Sequence, residues 1–253
     1  MIDLAIDDAV AEITLNAPEK LNALSLDALQ QMDAAYADAE ASGVRSLVLR
    51  GEGRAFCAGR DIAGVDPETD DVPGYLGAVE RLMRRIAGFP APTFAAVHGA
   101  CLGVGLGLAI ATDVVYVADG AKVGSPFANL GALLDSGGHA LLYERLGAHR
   151  ALDLIYTGEL LNGADAVAAG LFSRAMPADE LLGFTRERAQ RAASGPTTAF
   201  LASKRLIGRM RDERLWDAVA EESRGQEALR ATADYREGFA AFQQKRQPEF
   251  RGE

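Results

Sequence analysis

Cysteine is scarce in this chain: Cys57 and Cys101 are the only two in 253 residues. So few cannot build a disulfide framework, and both lie in glycine-flanked apolar segments that suit a reducing cytosol. Histidine is nearly as rare. His98, His139 and His149 are the full set; they have no metal-ligand spacing and read as surface or loop residues. Positive charge is also in short supply. A net charge of −10 argues against nucleic acid as a partner, because phosphate binding needs a basic surface. Any anionic ligand must find a local basic pocket. Long apolar runs are missing too. The most apolar stretch, Gly99 to Thr112, is 14 residues with four glycines, too short to span a bilayer. Met1-Ile2-Asp3 begins an acidic alternating stretch without the basic and apolar parts of a leader. A soluble, cytoplasmic protein with no membrane contact is expected.

What is present is a regular α/β pattern. Leu4 to Ile6 and Val10 to Leu15 read as two strands joined at Asp7-Asp8. Leu26, Leu29, Met32 and Tyr36 recur at helical spacing, with Ser25 as N-cap and Gly43 as the stop. Ser46 to Arg50, Thr93 to Val97, Asp113 to Ala118 and Lys122-Val123 read as strands. Helices are expected at about 76–87, 103–111, 137–146 and 164–169. Residues 61–75, rich in Asp, Pro and Gly, read as a mobile surface loop suited to gating. From Ala178 the chain is helical and charged. The expected organisation is a core over residues 1–195 and a helical region over 196–253.

Two stretches carry the chemistry: Arg54-Ala55-Phe56-Cys57-Ala58-Gly59-Arg60-Asp61 and Gly99-Ala100-Cys101-Leu102-Gly103-Val104-Gly105. Small residues leave backbone N–H groups bare in both. Two such groups converging on one oxygen form an oxyanion hole, which stabilises charge developing on a carbonyl. The bland reading of these glycines is close packing of a buried helix on a sheet, and both readings can hold at once. A dinucleotide site fits poorly: Gly103-Val104-Gly105-Leu106-Gly107 has Leu108 at the sixth position and lacks the ribose-binding acid. A serine-hydrolase elbow is absent, since Ser136 lies in Leu134-Asp135-Ser136-Gly137-Gly138.

Five motifs in order resemble the crotonase (enoyl-CoA hydratase/isomerase) superfamily over essentially the whole chain. They are Lys20-Leu21-Asn22-Ala23-Leu24, Phe56 through Asp61, His98-Gly99 through Gly105, Leu130-Gly131 through Gly138, and Asp234-Tyr235-Arg236-Glu237-Gly238-Phe239 through Pro248. The resemblance implies a β-β-α superhelix with a helical C-terminal trimerisation region, hence a homotrimer or dimer of trimers. It implies an acyl-CoA thioester as substrate, with coenzyme A part of that substrate and no separate cofactor or metal. The thioester oxygen would be held by the N–H groups of Ala58 and Val104. Lys20, Gly59, Arg60, Asp61, Gly103 and Phe127 would line the substrate site.

The chain departs from the hydratases of that family. Their two water-delivering glutamates align with Gly107 and Phe127, and neither can move a proton. Asp135 is the remaining acid, in a context that resembles ring-1,2-epoxyphenylacetyl-CoA isomerases, although Leu134 and His139 replace that subgroup's usual proline and threonine. Asp135 would shuttle a proton between two carbons. The competing reading makes Asp135 an N-cap for the helix that follows, with a pKa lowered by the helix end, whereas an apolar lining of Phe127, Leu133 and Leu134 would raise it. An isomerase is therefore expected, with a hydratase-like lyase by another route or a non-catalytic acyl-CoA binder as alternatives. Lys20, Arg54, Arg60, and Lys245 or Arg246 from a neighbouring subunit are candidate cations for the coenzyme's phosphates.

Overall fold

The structure is a computed structural model describing residues 1–253. Its main sheet begins with the antiparallel pair β1 (Ile2–Asp7) and β2 (Val10–Leu15). It continues in parallel through β3 (Ser46–Gly51), β4 (Thr93–Val97), β6 (Val114–Ala118) and β9 (Arg174–Met176). A smaller sheet joins β5 (Ala100–Leu102), β7 (Lys122–Gly124) and β8 (Leu161–Asn162). β3 and β4 are almost wholly buried because helices cover both faces, which is why they read as unbroken apolar runs.

Helices α1 (Leu26–Ala41) and α2 (Val72–Gly88) pack together over the sheet, and α6 (Ala178–Ala193) covers β3, β4 and β6 from the other side. Ser25 caps α1 by accepting the Ala28 N–H at 3.2 Å. α3 (Val104–Ala111) follows β5 directly, and α4 (Gly138–Thr157) and α5 (Gly163–Ala168) flank β8. The long α7 (Thr197–Leu229) crosses α2 and α4, while α8 (Ala233–Gln243) packs on a 3-10 turn at Phe127–Leu130. No helix is long and apolar enough to cross a membrane.

The bounds of two helices are corrected. α2 starts at Val72, four residues before the expected Leu76. Pro73 and Gly74 read as breakers, but proline is tolerated in a first helical turn, and the Asp71 side chain caps it by accepting the Gly74 N–H at 3.0 Å. The remaining loop, 61–71, is bonded to the C-terminal helices and to Arg60. Gln243 Nε2 donates to the Val65 carbonyl at 2.7 Å, Arg230 to the Pro67 carbonyl at 3.1 Å, and Arg60 pairs with Asp70. α4 also continues beyond Leu146, bending at Gly147 where φ is +74°.

Candidate active site

Asn22 is the strut on which the site is built. It is buried, and its Nδ2 donates to the carbonyls of Glu52 at 2.9 Å and Ala55 at 2.8 Å while its Oδ1 accepts the Ala17 N–H at 2.8 Å. Its neighbours pair with the next segment: the Ala58 N–H donates to Leu21 at 3.0 Å, Leu24 donates to Gly59 at 2.8 Å, and Asp61 donates to Leu24 at 3.0 Å. On the opposite side, Cys57 donates to Ala100 at 2.9 Å and accepts from Leu102 at 3.0 Å.

These bonds decide which N–H groups are bare. The Ala58 N–H is taken by Leu21, so the expected role of Ala58 as an oxygen-holding donor is corrected. In a trans peptide the carbonyl and the following N–H point in opposite directions. The Gly59 carbonyl faces Leu24, so the Arg60 N–H faces away from the strut, toward the side on which β5 lies. The same logic applies at α3. The Gly103 carbonyl accepts the Gly107 N–H at 3.0 Å inside the helix, so the Val104 N–H points out of the helix start. There it has no intrahelical acceptor and adds to the positive end of the helix. Glycine permits the close approach: a Cβ on Gly105 would lie 2.5 Å from the Cys57 carbonyl oxygen, and Gly103 has φ +51°.

A cavity of about 170 Å³ lies here, with Ala58, Gly59, Arg60, Gly103, Phe127 and Asp135 on its wall. Its remaining surface is largely apolar, including Ile62, Leu76, Leu130 and, from α8, Phe239 and Phe242. The Val104 side chain is buried in the core. Lys20 and Asp61 are not on the wall; they pair with each other at 3.0 Å. The Arg60 guanidinium pairs with Asp70 and lies 4.1 Å above the Tyr75 ring centroid. Arg246 is engaged with Glu237, while Arg54 is exposed. No three His, Cys, Asp or Glu side chains cluster as a metal site would require.

Asp135 is not the cap of α4. Gly137 occupies the N-cap position without a side-chain bond, and the carboxylate of Glu222, from α7, fills the helix start. Asp135 accepts the Ser136 hydroxyl at 2.8 Å and stands on the cavity wall. Burial raises its pKa from 3.8 to about 7, with the Glu222 charge adding to the rise; the Ser136 bond, Arg60 and His139 oppose it. Phe127 is on the wall as expected, whereas Leu133 lies against Gly225 and Leu134 against Gly138. His139 is also no free surface residue, because its Nδ1 lies 2.8 Å from Glu222 Oε1.

Sequence reasoning missed Glu222 and Gln226. Their signal was present: Leu215, Val219, Glu222 and Gln226 fall on one helical face, and all four are buried. Polar residues within an apolar stripe mark a buried polar contact. Gln226 meets that demand in part: its Nε2 donates to the Leu133 carbonyl at 2.5 Å, while its Oε1 has no partner.

Comparison with known proteins gives a consistent result. The family model for enoyl-CoA hydratase/isomerase matches residues 5–253. The Escherichia coli K12 1,2-epoxyphenylacetyl-CoA isomerase is 34% identical over 254 residues, covering 98% of this chain and 97% of that protein. An enoyl-CoA hydratase structure from Mycobacterium avium subsp. paratuberculosis K-10 superposes with TM-score 0.89 at 32% identity, covering 99% and 98% of the two chains. A methylmalonyl-CoA decarboxylase complexed with 2-nitronate-propionyl-CoA superposes with TM-score 0.87 at 26% identity, covering 100% and 98%. Three reactions on one scaffold mean that the reaction must be argued from the site. The chain belongs to the enoyl-CoA hydratase/isomerase (crotonase) family of acyl-CoA enzymes.

Proposed function

We propose that this protein isomerises an enoyl-CoA thioester. The thioester oxygen sits between the N–H groups of Arg60 and Val104, which makes the adjacent C–H acidic. Asp135 takes the proton from C2 of a 3-enoyl thioester, and the electron pair of that C–H bond delocalises into the carbonyl, onto the thioester oxygen, and through the C3–C4 alkene onto C4. The same carboxylic acid then returns the proton at C4, leaving the double bond between C2 and C3. Nothing is consumed, so no redox group or second substrate is needed.

The observation that carries this reading is the solitude of Asp135. It is the one carboxyl group on the cavity wall, and burial places its pKa near 7, where a group both accepts and releases a proton readily. Activating water by paired acids would need a second carboxylate at Gly107 or Phe127. Lys20 and Arg54, near the strut and exposed, are the cations proposed for the coenzyme's phosphates. Phe200, Leu206, Ile207 and Met210 are exposed along the first half of α7, and this apolar row supports a trimer, because such patches mark protein contacts.

Mass spectrometry of a 3-enoyl-CoA incubated with the protein tests the reaction. Isomerisation leaves the mass unchanged and moves the double bond; hydration adds a water. Asp135→Asn keeps the shape but cannot take the proton, and should abolish isomerisation while acyl-CoA still binds. Rapid hydration that survives Asp135→Asn contradicts the proposal. Binding without turnover favours the non-catalytic reading. Light scattering after size exclusion reads the assembly, and a clean monomer contradicts the trimer.

A further inference from the structure

Glu222 is a carboxylate in the middle of α7, only 3% exposed, and the reaction as described makes no use of it. Leu215 and Val219 lie on the same face of the helix. Isolating a charge in such a place is strongly unfavourable unless it is fully satisfied. Here the satisfaction comes from α4. Glu222 Oε2 accepts the Gly137 N–H at 2.7 Å, and Oε1 accepts the His139 N–H at 2.9 Å and the Nδ1–H of His139 at 2.8 Å. The positive end of α4 adds to these bonds.

This arrangement bears directly on Asp135, two residues before Gly137. Aspartate is among the strongest N-capping residues, and a helix start offers bare N–H groups to the nearest acceptor. If Gly137 and His139 kept theirs free, the Asp135 carboxyl would be the local group best suited to turn toward them. Glu222 already fills those donors. The Asp135 backbone carbonyl accepts the Gly138 N–H at 3.0 Å, while its carboxyl bonds only the Ser136 hydroxyl and stands on the cavity wall.

We propose that Glu222 is a positioning residue for the reaction: by filling the start of α4 from another helix, it denies Asp135 the cap and holds that carboxyl at the cavity wall. The proposal rests on the reading of Asp135 as the proton-transferring group. Charge acts in the same direction as geometry. Glu222 opposes ionisation of Asp135, while Arg60 and His139 favour it; Tyr75 of α2 and Tyr235 of α8 complete the titratable groups that face it.

The test titrates Asp135 directly. Full-length protein labelled with 13C at the aspartate carboxyl carbons is followed by NMR across pH, with the Asp135 signal assigned by its loss in Asp135→Asn. Wild type should titrate near pH 7. Glu222→Gln, which removes the charge and loosens the cap, should move the midpoint down by about one unit or more. In turnover, kcat should fall ~10- to 100-fold with little change in KM, as expected when a reacting group is misplaced. Glu222→Asp keeps the charge but shortens the reach, so it should lower kcat while leaving the midpoint nearer to wild type. It also serves if Glu222→Gln fails to fold by circular dichroism. An unmoved midpoint in folded Glu222→Gln, or wild-type kcat in both variants, overturns the proposal. Turnover that survives Asp135→Asn instead overturns the reading of the reaction, and the midpoint then still decides whether Glu222 controls Asp135.

Discussion

Gly107 and Ser136 compete for one space: a Cβ placed on Gly107 would lie 2.5 Å from the Ser136 Cβ. Ser136 is itself held in the left-handed region at φ +57°, a conformation that costs a non-glycine residue roughly 1 kcal/mol or more. Its hydroxyl uses that conformation to donate to Asp135. The missing hydratase-type acid at position 107 and the orientation of Asp135 are thus one packing arrangement.

Gly107→Ala should therefore destabilise the protein by roughly 1–3 kcal/mol through overpacking, even though alanine favours a helix by about 1 kcal/mol over glycine. Urea denaturation reads the net change. Gly107→Glu should lose isomerase activity without gaining hydratase activity, because the side chain must displace Ser136. A hydrating Gly107→Glu enzyme would show that the site accepts the second acid after all.

Val104→Pro deletes one proposed oxygen-holding donor at the first position of α3, where proline fits the helix. Loss of a single such donor costs about 100- to 1,000-fold in turnover. Val104→Ala keeps the N–H and should be mild by comparison. Equal loss in both variants, with the fold intact by circular dichroism, would assign Val104 a packing role only.

The raised pKa of Asp135 sets two pH dependences of known sign. As a base it must be ionised, so turnover should rise with pH through about 7. Stability moves the other way. The folded protein holds this proton more tightly than the unfolded chain, so this group's contribution is full below pH 3.8 and declines as pH rises to about 7. Asp135→Asn removes the cost of burying the charge and should stabilise the protein at pH 8 by on the order of a few kcal/mol. Thermal melts of both proteins at pH 5 and pH 8 check this, since the gain should be larger at pH 8.

The sequence was most legible where one element carries its own signal. Ser25 capping α1, the alternation of Val10 to Leu15 and the glycines around Val104 are local patterns, and each appears in the structure at or within a residue of its expected place. Legibility failed where two distant segments decide together. The choice between Ala58 and Arg60 as the bare donor depends on which peptide faces Leu21 and Leu24, a matter of pairing that no motif encodes. The capping of α4 was left open for the same reason: Asp135, the candidate cap, is close in sequence, yet Glu222 supplies the cap from 85 positions away.

Asn22 makes the site's dependence on such distant pairing measurable. Its amide donates to two carbonyls and accepts one N–H, a set that no other side chain of that size can reproduce. Asn22→Asp is nearly the same shape but offers two acceptors to the carbonyls of Glu52 and Ala55. Each buried group left unsatisfied costs about 1–3 kcal/mol, so the variant should lose on the order of 3 kcal/mol or more by denaturant titration. Leu21 and Leu24, which pair with Ala58, Gly59 and Asp61, hang from the same strut. Activity should therefore fall further than stability alone accounts for, because the Arg60 N–H loses its aim. An Asn22→Asp protein as stable and as active as wild type would mean that the 57–61 segment keeps its shape without the strut.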